Sequence, residues 1–114
     1  MNLNEIFNEY IKINNEYVKF INEIINSNFE GYTEENITTK LIENKKKFEE
    51  LMQCTDKIEI EEEKGVFLKD VKYSVIDGLF LAIDLYNFYY SKQLERFKMR
   101  AVNYIRKGRV TSFF

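Results

Sequence analysis

Residues 73–104 read YSVIDGLFLAIDLYNFYYSKQLERFKMRAVNY. Taken in steps of three and four, the stretch picks out Tyr73, Ile76, Phe80, Ile83, Asn87, Tyr90, Leu94, Phe97, Ala101 and Tyr104, and all of these but Asn87 are apolar or aromatic. This is the a/d pattern of a heptad seam, and it runs for more than four heptads without a proline. The spacing predicts one long helix from about Asp70 to Lys107, with Asn87 as a lone amide at an a position. At about 1.5 Å per residue such a helix is on the order of 57 Å long. A compact globule of this chain length is only about 35 Å across. The helix is therefore expected to outreach the rest of the chain unless it bends near Ser91. Its two halves differ. From Val75 to Tyr90 apolar residues surround it almost completely, as expected for an enclosed helix. After Ser91 the seam narrows among Lys92, Gln93, Glu95, Arg96, Lys98 and Arg100, as expected for a coiled-coil-like or partner-facing stripe.

Two shorter segments precede it. Leu3, Ile6, Tyr10, Ile13, Tyr17, Phe20 and Ile24 repeat the same spacing and predict a first helix over residues 3–28. Its wide apolar face suits a helix that touches two others. Ser27, Asn28 and Gly31 supply the stop, with Gly31 suited to a left-handed residue. Thr33 reads as an N-cap, with Glu34 and Glu35 in the favourable first turn. A second helix follows to about Thr55, with a seam of Ile37, Leu41, Phe48, Leu51 and Met52. Residues 56–69 read as a loop or frayed helix, with a short β-hairpin as the alternative and Gly65 as its turn. Gly108 is expected to end the last helix, after which the tail closes on Phe113 and Phe114. These two aromatics are expected to fold back on the body or to dock on a partner.

The chain has 114 residues, with 45% hydrophobic and 16% aromatic, no Pro and only 4 Gly. That length bounds one domain, residues 1–114, and the scarcity of turn residues points to an all-α fold. The expected architecture is a small antiparallel helical bundle of three or four helices with a long C-terminal helix. The net charge of −2 is uneven. Residues 1–42 carry −4, residues 43–91 carry −4, and the segment 92–114 carries +6. The usage of Asn, Ile and Lys over Ala and Arg resembles that of an A/T-rich, bacterial or phage-like genome. Met1 is followed by Asn2, Asn4 and Glu5 with no basic stretch before an apolar run, so no signal peptide is read. The most apolar run is too short and too polar for a membrane span. Cys54 is alone, so no intramolecular disulfide forms. These features place the chain in the cytoplasm.

Chemistry-bearing motifs are sparse. With no His and one Cys, the common zinc sites and a Cys–His nucleophile are excluded. No phosphate-binding glycine loop or nucleophile-elbow motif occurs. Asp70, Asp77 and Asp84 recur every seven residues along one helical stripe, and Glu59, Glu61, Glu62 and Glu63 form an acidic run. Either set supports a carboxylate or metal enzyme as a third reading, and the blander alternatives are ion pairing and a solvated loop. No catalytic residue, cofactor or metal site is assigned. A second reading is a nucleic-acid-associated regulator that uses Lys92, Arg96, Lys98, Arg100, Arg106, Lys107 and Arg109. The leading reading is a protein that binds a protein partner or its own copy. Its expected contact residues are Asn87, Tyr90, Leu94, Phe97, Ala101, Tyr104, Phe113 and Phe114.

The layout resembles that of small flagellar export chaperones, with an antiparallel helical pair carrying Leu41-Ile42-Glu43 to Leu51-Met52 and then a long C-terminal helix. Tyr73-Ser74-Val75-Ile76-Asp77 and Phe80-Leu81-Ala82-Ile83-Asp84 resemble the aromatic-x-x-x-acid signals of small secretion partner proteins. Those proteins carry a Trp-x-Gly turn, whereas this chain has no Trp and both matches lie within a helix. Neither resemblance identifies a family.

Overall fold

The computed structural model describes residues 2–58 and 65–111, with side chains as far as Lys107. Among these residues there are four helices and no strand: α1 (Leu3–Asn26), α2 (Glu34–Asp56), α3 (Gly65–Tyr90) and α4 (Leu94–Thr111). Consecutive helices run antiparallel. Phe20 meets Lys40 and Tyr17 meets Phe48 between α1 and α2. Lys72 meets Asp56 between α2 and α3, and Arg100 meets Asp84 between α3 and α4. The result is an up-down-up-down bundle with extents of 48 × 28 × 19 Å.

The first two helices follow their sequence signals closely. The Asn2 carboxamide oxygen accepts from Glu5 N–H, and Thr33 Oγ1 accepts from Asn36 N–H. Each cap satisfies one of the amide donors that a helix leaves without an internal partner. α1 buries Leu3, Ile6, Ile13, Tyr17, Phe20, Ile21 and Ile24, and α2 buries Ile37, Leu41, Phe48 and Leu51. The stop of α1 differs in detail from the expectation. Asn28 and Phe29 take the left-handed conformation directly after it, and Phe29 N–H reaches Ile24 C=O at 2.8 Å. Gly31, also left-handed at φ 83°, follows two residues later.

The single long helix expected over 70–107 is two helices. The chain reverses at residues 91–93 without Gly or Pro. Lys92 adopts φ 62°, Lys92 N–H bonds Tyr89 C=O, and Gln93 N–H bonds Phe88 C=O at 2.8 Å. That pair of bonds is the Schellman arrangement, with lysine where glycine is usual. Ser91 Oγ adds a bond to Asn87 C=O at 2.7 Å. The left-handed lysine costs about 1–2 kcal/mol. Burying Phe97 alone contributes about 1.5–3 kcal/mol, and the same reversal also buries Ala101 and Tyr104. Packing thus outweighs the strain, and a helix that would have projected from the bundle folds back along α3.

Two further expectations change. Residues 65–69 are the first turns of α3, so the second arm of a hairpin is not formed there and Gly65 opens a helix. α4 continues through Gly108 to Thr111, so Gly108 is not its stop.

Candidate interaction surface

The core selects a face of α3 that the aromatic seam does not mark. Val71, Val75, Gly78, Leu81, Ala82 and Leu85 point inward. Gly78 is required there. A Cβ added to it would lie 2.5 Å from Phe48 Cε1, so the phenyl ring of α2 packs on bare α3 backbone. Gly78 and Ala82, four residues apart, make the groove into which α2 settles. Those small residues between Val75, Leu81 and Leu85 are the signal by which the inward face could have been recognised.

The opposite face of α3 is consequently apolar and open. Val66 is 72% exposed, Tyr73 76%, Phe80 56% and Tyr90 77%. Ile76 and Ile83 are half-buried between them, and Asn87 is exposed. The expectation that α3 is enclosed on every side is therefore corrected. The lone amide of the seam, Asn87, stands on this outer stripe and is not a core residue of the bundle. Its backbone carbonyl accepts from both Ser91 N–H and Ser91 Oγ, and its side chain has no hydrogen bond among the described residues.

The continuation of the seam on α4 has the reverse fate. Phe97 and Ala101 are wholly buried and Tyr104 nearly so. They are core residues and not the partner-facing stripe that the sequence suggested, since α4 lies against α3 and α1. Phe97 packs edge-on against Phe29 at 5.3 Å between ring centroids and against Tyr89 at 6.3 Å. Leu94 is partly exposed at the turn. Phe113 and Phe114 lie outside the described residues.

The basic segment is partly consumed inside the bundle. Arg100 Nε donates to Asp84 Oδ2 at 2.8 Å, and Lys107 Nζ donates to Asp77 Oδ2 at 3.0 Å. Lys98 Nζ donates to Asn28 Oδ1 at 2.7 Å and lies near Glu95. Two of the three carboxylates of the Asp70–Asp77–Asp84 stripe are therefore ion-pair partners of α4. Lys92, Arg96 and Arg106 are exposed and have no such partner among the described residues. The Arg109 side chain lies outside those described. Three of the six cations with described side chains are thus engaged within the bundle.

A partly buried polar cluster joins α1 to α4, and sequence reading did not find it. The Tyr104 hydroxyl donates to Asn14 Oδ1, with Tyr10 beside it. Burial pushes the Tyr104 hydroxyl well above the usual phenol range, with the neighbouring Tyr10 adding to the shift, and burial likewise raises Tyr10. Tyr17, one helical layer along, is raised by burial, opposed by Arg100. Its hydroxyl has no hydrogen-bond partner among the described residues. These phenols keep their protons at ordinary pH, so none supplies a phenolate base there. Asn14 sits four residues from Tyr10 and three from Tyr17, a spacing visible in the chain but common to any helix.

Among the described residues no set of three or more His, Cys, Asp or Glu is placed to hold a metal ion. Glu59, Glu61, Glu62 and Glu63 lie outside those residues. No described helix is long and apolar enough to cross a membrane. Comparison with protein-family models, with curated proteins and with solved structures gives no match to this chain.

Proposed function

We propose that the protein is a cytoplasmic, non-enzymatic module that works by protein–protein interaction through the outer face of α3. The observation that carries this reading is the aromatic stripe from Tyr73 to Tyr90, open to solvent and opposite the core face, with Val66 exposed beyond Lys69. A helix apolar on both faces is stable in water only if something covers the second one. Large contiguous apolar patches on a small protein mark interaction sites. The role is that of an adapter, a chaperone-like protein or an oligomeric module. The experiment is affinity capture from source-cell extract with the wild type and with Phe80→Glu as baits. The expected result is at least one protein, its own copy included, that wild type retains and Phe80→Glu loses at equal helicity. Identical recovery by both baits overturns the reading.

Nucleic-acid association is the second reading. It now rests on Lys92, Arg96 and Arg106, since Arg100 and Lys107 are paired with Asp84 and Asp77. Three phosphate contacts correspond to a log–log salt slope of only about −2.7 on duplex DNA. A steeper measured slope would favour this reading over the first.

A further inference from the structure

Building on the reading of the α3 outer face as an interface, we propose that its occupant is the same face of a second copy. The two α3 helices lie parallel about a two-fold axis along the seam, with the two Asn87 amides facing each other.

Three observations lead there. The first is extent. Phe and Tyr side chains bury about 150–250 Å² each, so Tyr73, Phe80 and Tyr90 at their observed exposures present on the order of 400 Å² between them. Val66, the edges of Ile76 and Ile83, and Asn87 extend this along about 36 Å of helix. The total approaches the roughly 800 Å² per partner of a standard stable interface. A self-complementary stripe satisfies an isologous contact with no second surface needed.

The second is pattern. Tyr73, Phe80 and Asn87 fall at successive a positions and Ile76, Ile83 and Tyr90 at d positions, with Val66 one heptad earlier and the exposed Lys69 at the d position between Val66 and Tyr73. A packed core needs no heptad on its solvent side, and Val71, Val75, Gly78 and Leu85 already provide the inward face. An outward heptad seam is the requirement of a helix that pairs along its length. A lone Asn at an a position finds a donor and an acceptor in its own symmetry mate. In an antiparallel pairing centred on Phe80 it would face Tyr73 and not its own copy.

The third is charge. One flank of the seam carries Asp70, Asp77 and Asp84. The other carries Lys72, with Leu79 and Tyr86, and Lys45 of α2 lies 5.9 Å from the Tyr86 ring centroid. Antiparallel helices bring like flanks together, acid against acid. Parallel helices bring opposite flanks together and set Lys72 of one copy toward Asp77 of the other. Lys72 and Asp77 are each about one-third exposed despite their internal partners Asp56 and Lys107, so both can share a second contact.

The test uses the full chain. Sedimentation equilibrium from low to high micromolar concentration is expected to give a concentration-dependent dimer. Phe80→Glu is expected to weaken it at least tenfold without changing helicity, and Tyr73→Glu serves as an independent variant of another exposed position. For orientation, Asn87→Cys and Tyr73→Cys are each made in a Cys54→Ser background and oxidised. Parallel pairing predicts a disulfide-linked dimer from both. A wild type that stays monomeric throughout overturns the proposal, as does a dimer indifferent to both Glu variants. If the Glu variants abolish the dimer but neither cysteine variant cross-links alone while a mixture of the two does, the parallel arrangement is overturned. A monomeric wild type that nevertheless captures another protein through Phe80 sinks the second-copy assignment while leaving the interaction reading intact.

Discussion

The α3 segment Tyr73–Tyr90 and the α4 segment Leu94–Tyr104 share one three-four spacing and end in opposite places. On α4 the spaced residues Phe97, Ala101 and Tyr104 are core. On α3 the spaced residues Tyr73, Phe80 and Tyr90 face water. The difference lies in what surrounds each stripe. α4 carries charges on its remaining faces, so only one orientation buries apolar area. α3 carries two apolar stripes, and the bundle buries the smaller side chains because they let Phe48 approach the backbone at Gly78. Periodicity locates a stripe, whereas close packing decides which of two stripes goes inside.

The strongest way to break this comparison is to truncate one aromatic from each half. Phe97→Ala is expected to cost about 3–5 kcal/mol, as for a buried Phe. Phe80→Ala, measured in urea at low protein concentration, should stay within about 0.5 kcal/mol, as for a surface site. Comparable losses at the two positions would place both stripes inside. Next in size is Gly78→Ala. Alanine improves helix propensity by about 1 kcal/mol, yet overpacking against Phe48 costs about 1–3 kcal/mol, so a net loss of up to about 2 kcal/mol is expected. Phe48→Leu in the same chain should recover part of that loss. A stabilised Gly78→Ala protein would mean that α2 does not pack on α3 there.

The turn between the two segments offers a smaller change of opposite sign. Lys92→Gly removes a left-handed lysine and should raise stability by about 1 kcal/mol, read as a higher urea midpoint at unchanged slope. Lowered stability would show that the helix does not reverse at this residue. The smallest effect is expected at Tyr17, in the layer beneath α4. Tyr17→Phe removes a buried hydroxyl without a partner and should be neutral or slightly stabilising at pH 7, within about 1 kcal/mol. Its consequence grows with pH. An unfolded tyrosine ionises near pH 10, while burial raises the folded value, so above pH 10 the unfolded chain binds fewer protons than the folded one. Stability from this group is full below that pH and falls as pH rises toward the folded value. Tyr17→Phe should therefore flatten the alkaline loss of melting temperature, part of which remains because of Tyr104 and Tyr10.

Much of the architecture was legible in the chain. Thr33 as a cap, the inward rows of α1 and α2, the absence of proline and the scarcity of glycine all state local preferences that the bundle keeps. The reversal at 91–93 was legible only as a place where a 57 Å helix, about that long by its rise per residue, exceeded the globule. Nothing in Ser91-Lys92-Gln93 demands a left-handed residue, and the turn exists because burying Phe97, Ala101 and Tyr104 outweighs its strain. The candidate surface was legible only in part. Tyr73, Phe80 and Tyr90 stood out as a seam, but α3 was expected to be enclosed, and of the residues expected to meet a partner only Asn87 and Tyr90 lie on its outer face.

The amino-acid sequence by itself determined an all-helical chain, the positions of its first two helices and a heptad stripe containing one amide. These follow from propensity, capping and period, which act within a few residues. Tertiary structure decided where the third helix ends, that α4 returns along it to pair Arg100 and Lys107 with Asp84 and Asp77, and which face of α3 is left to water. Those outcomes depend on contacts between residues far apart in the chain. There the approach of Phe48 to one glycine, so close that a Cβ would lie 2.5 Å from its ring, goes with leaving the larger tyrosines and phenylalanine on the other side to water.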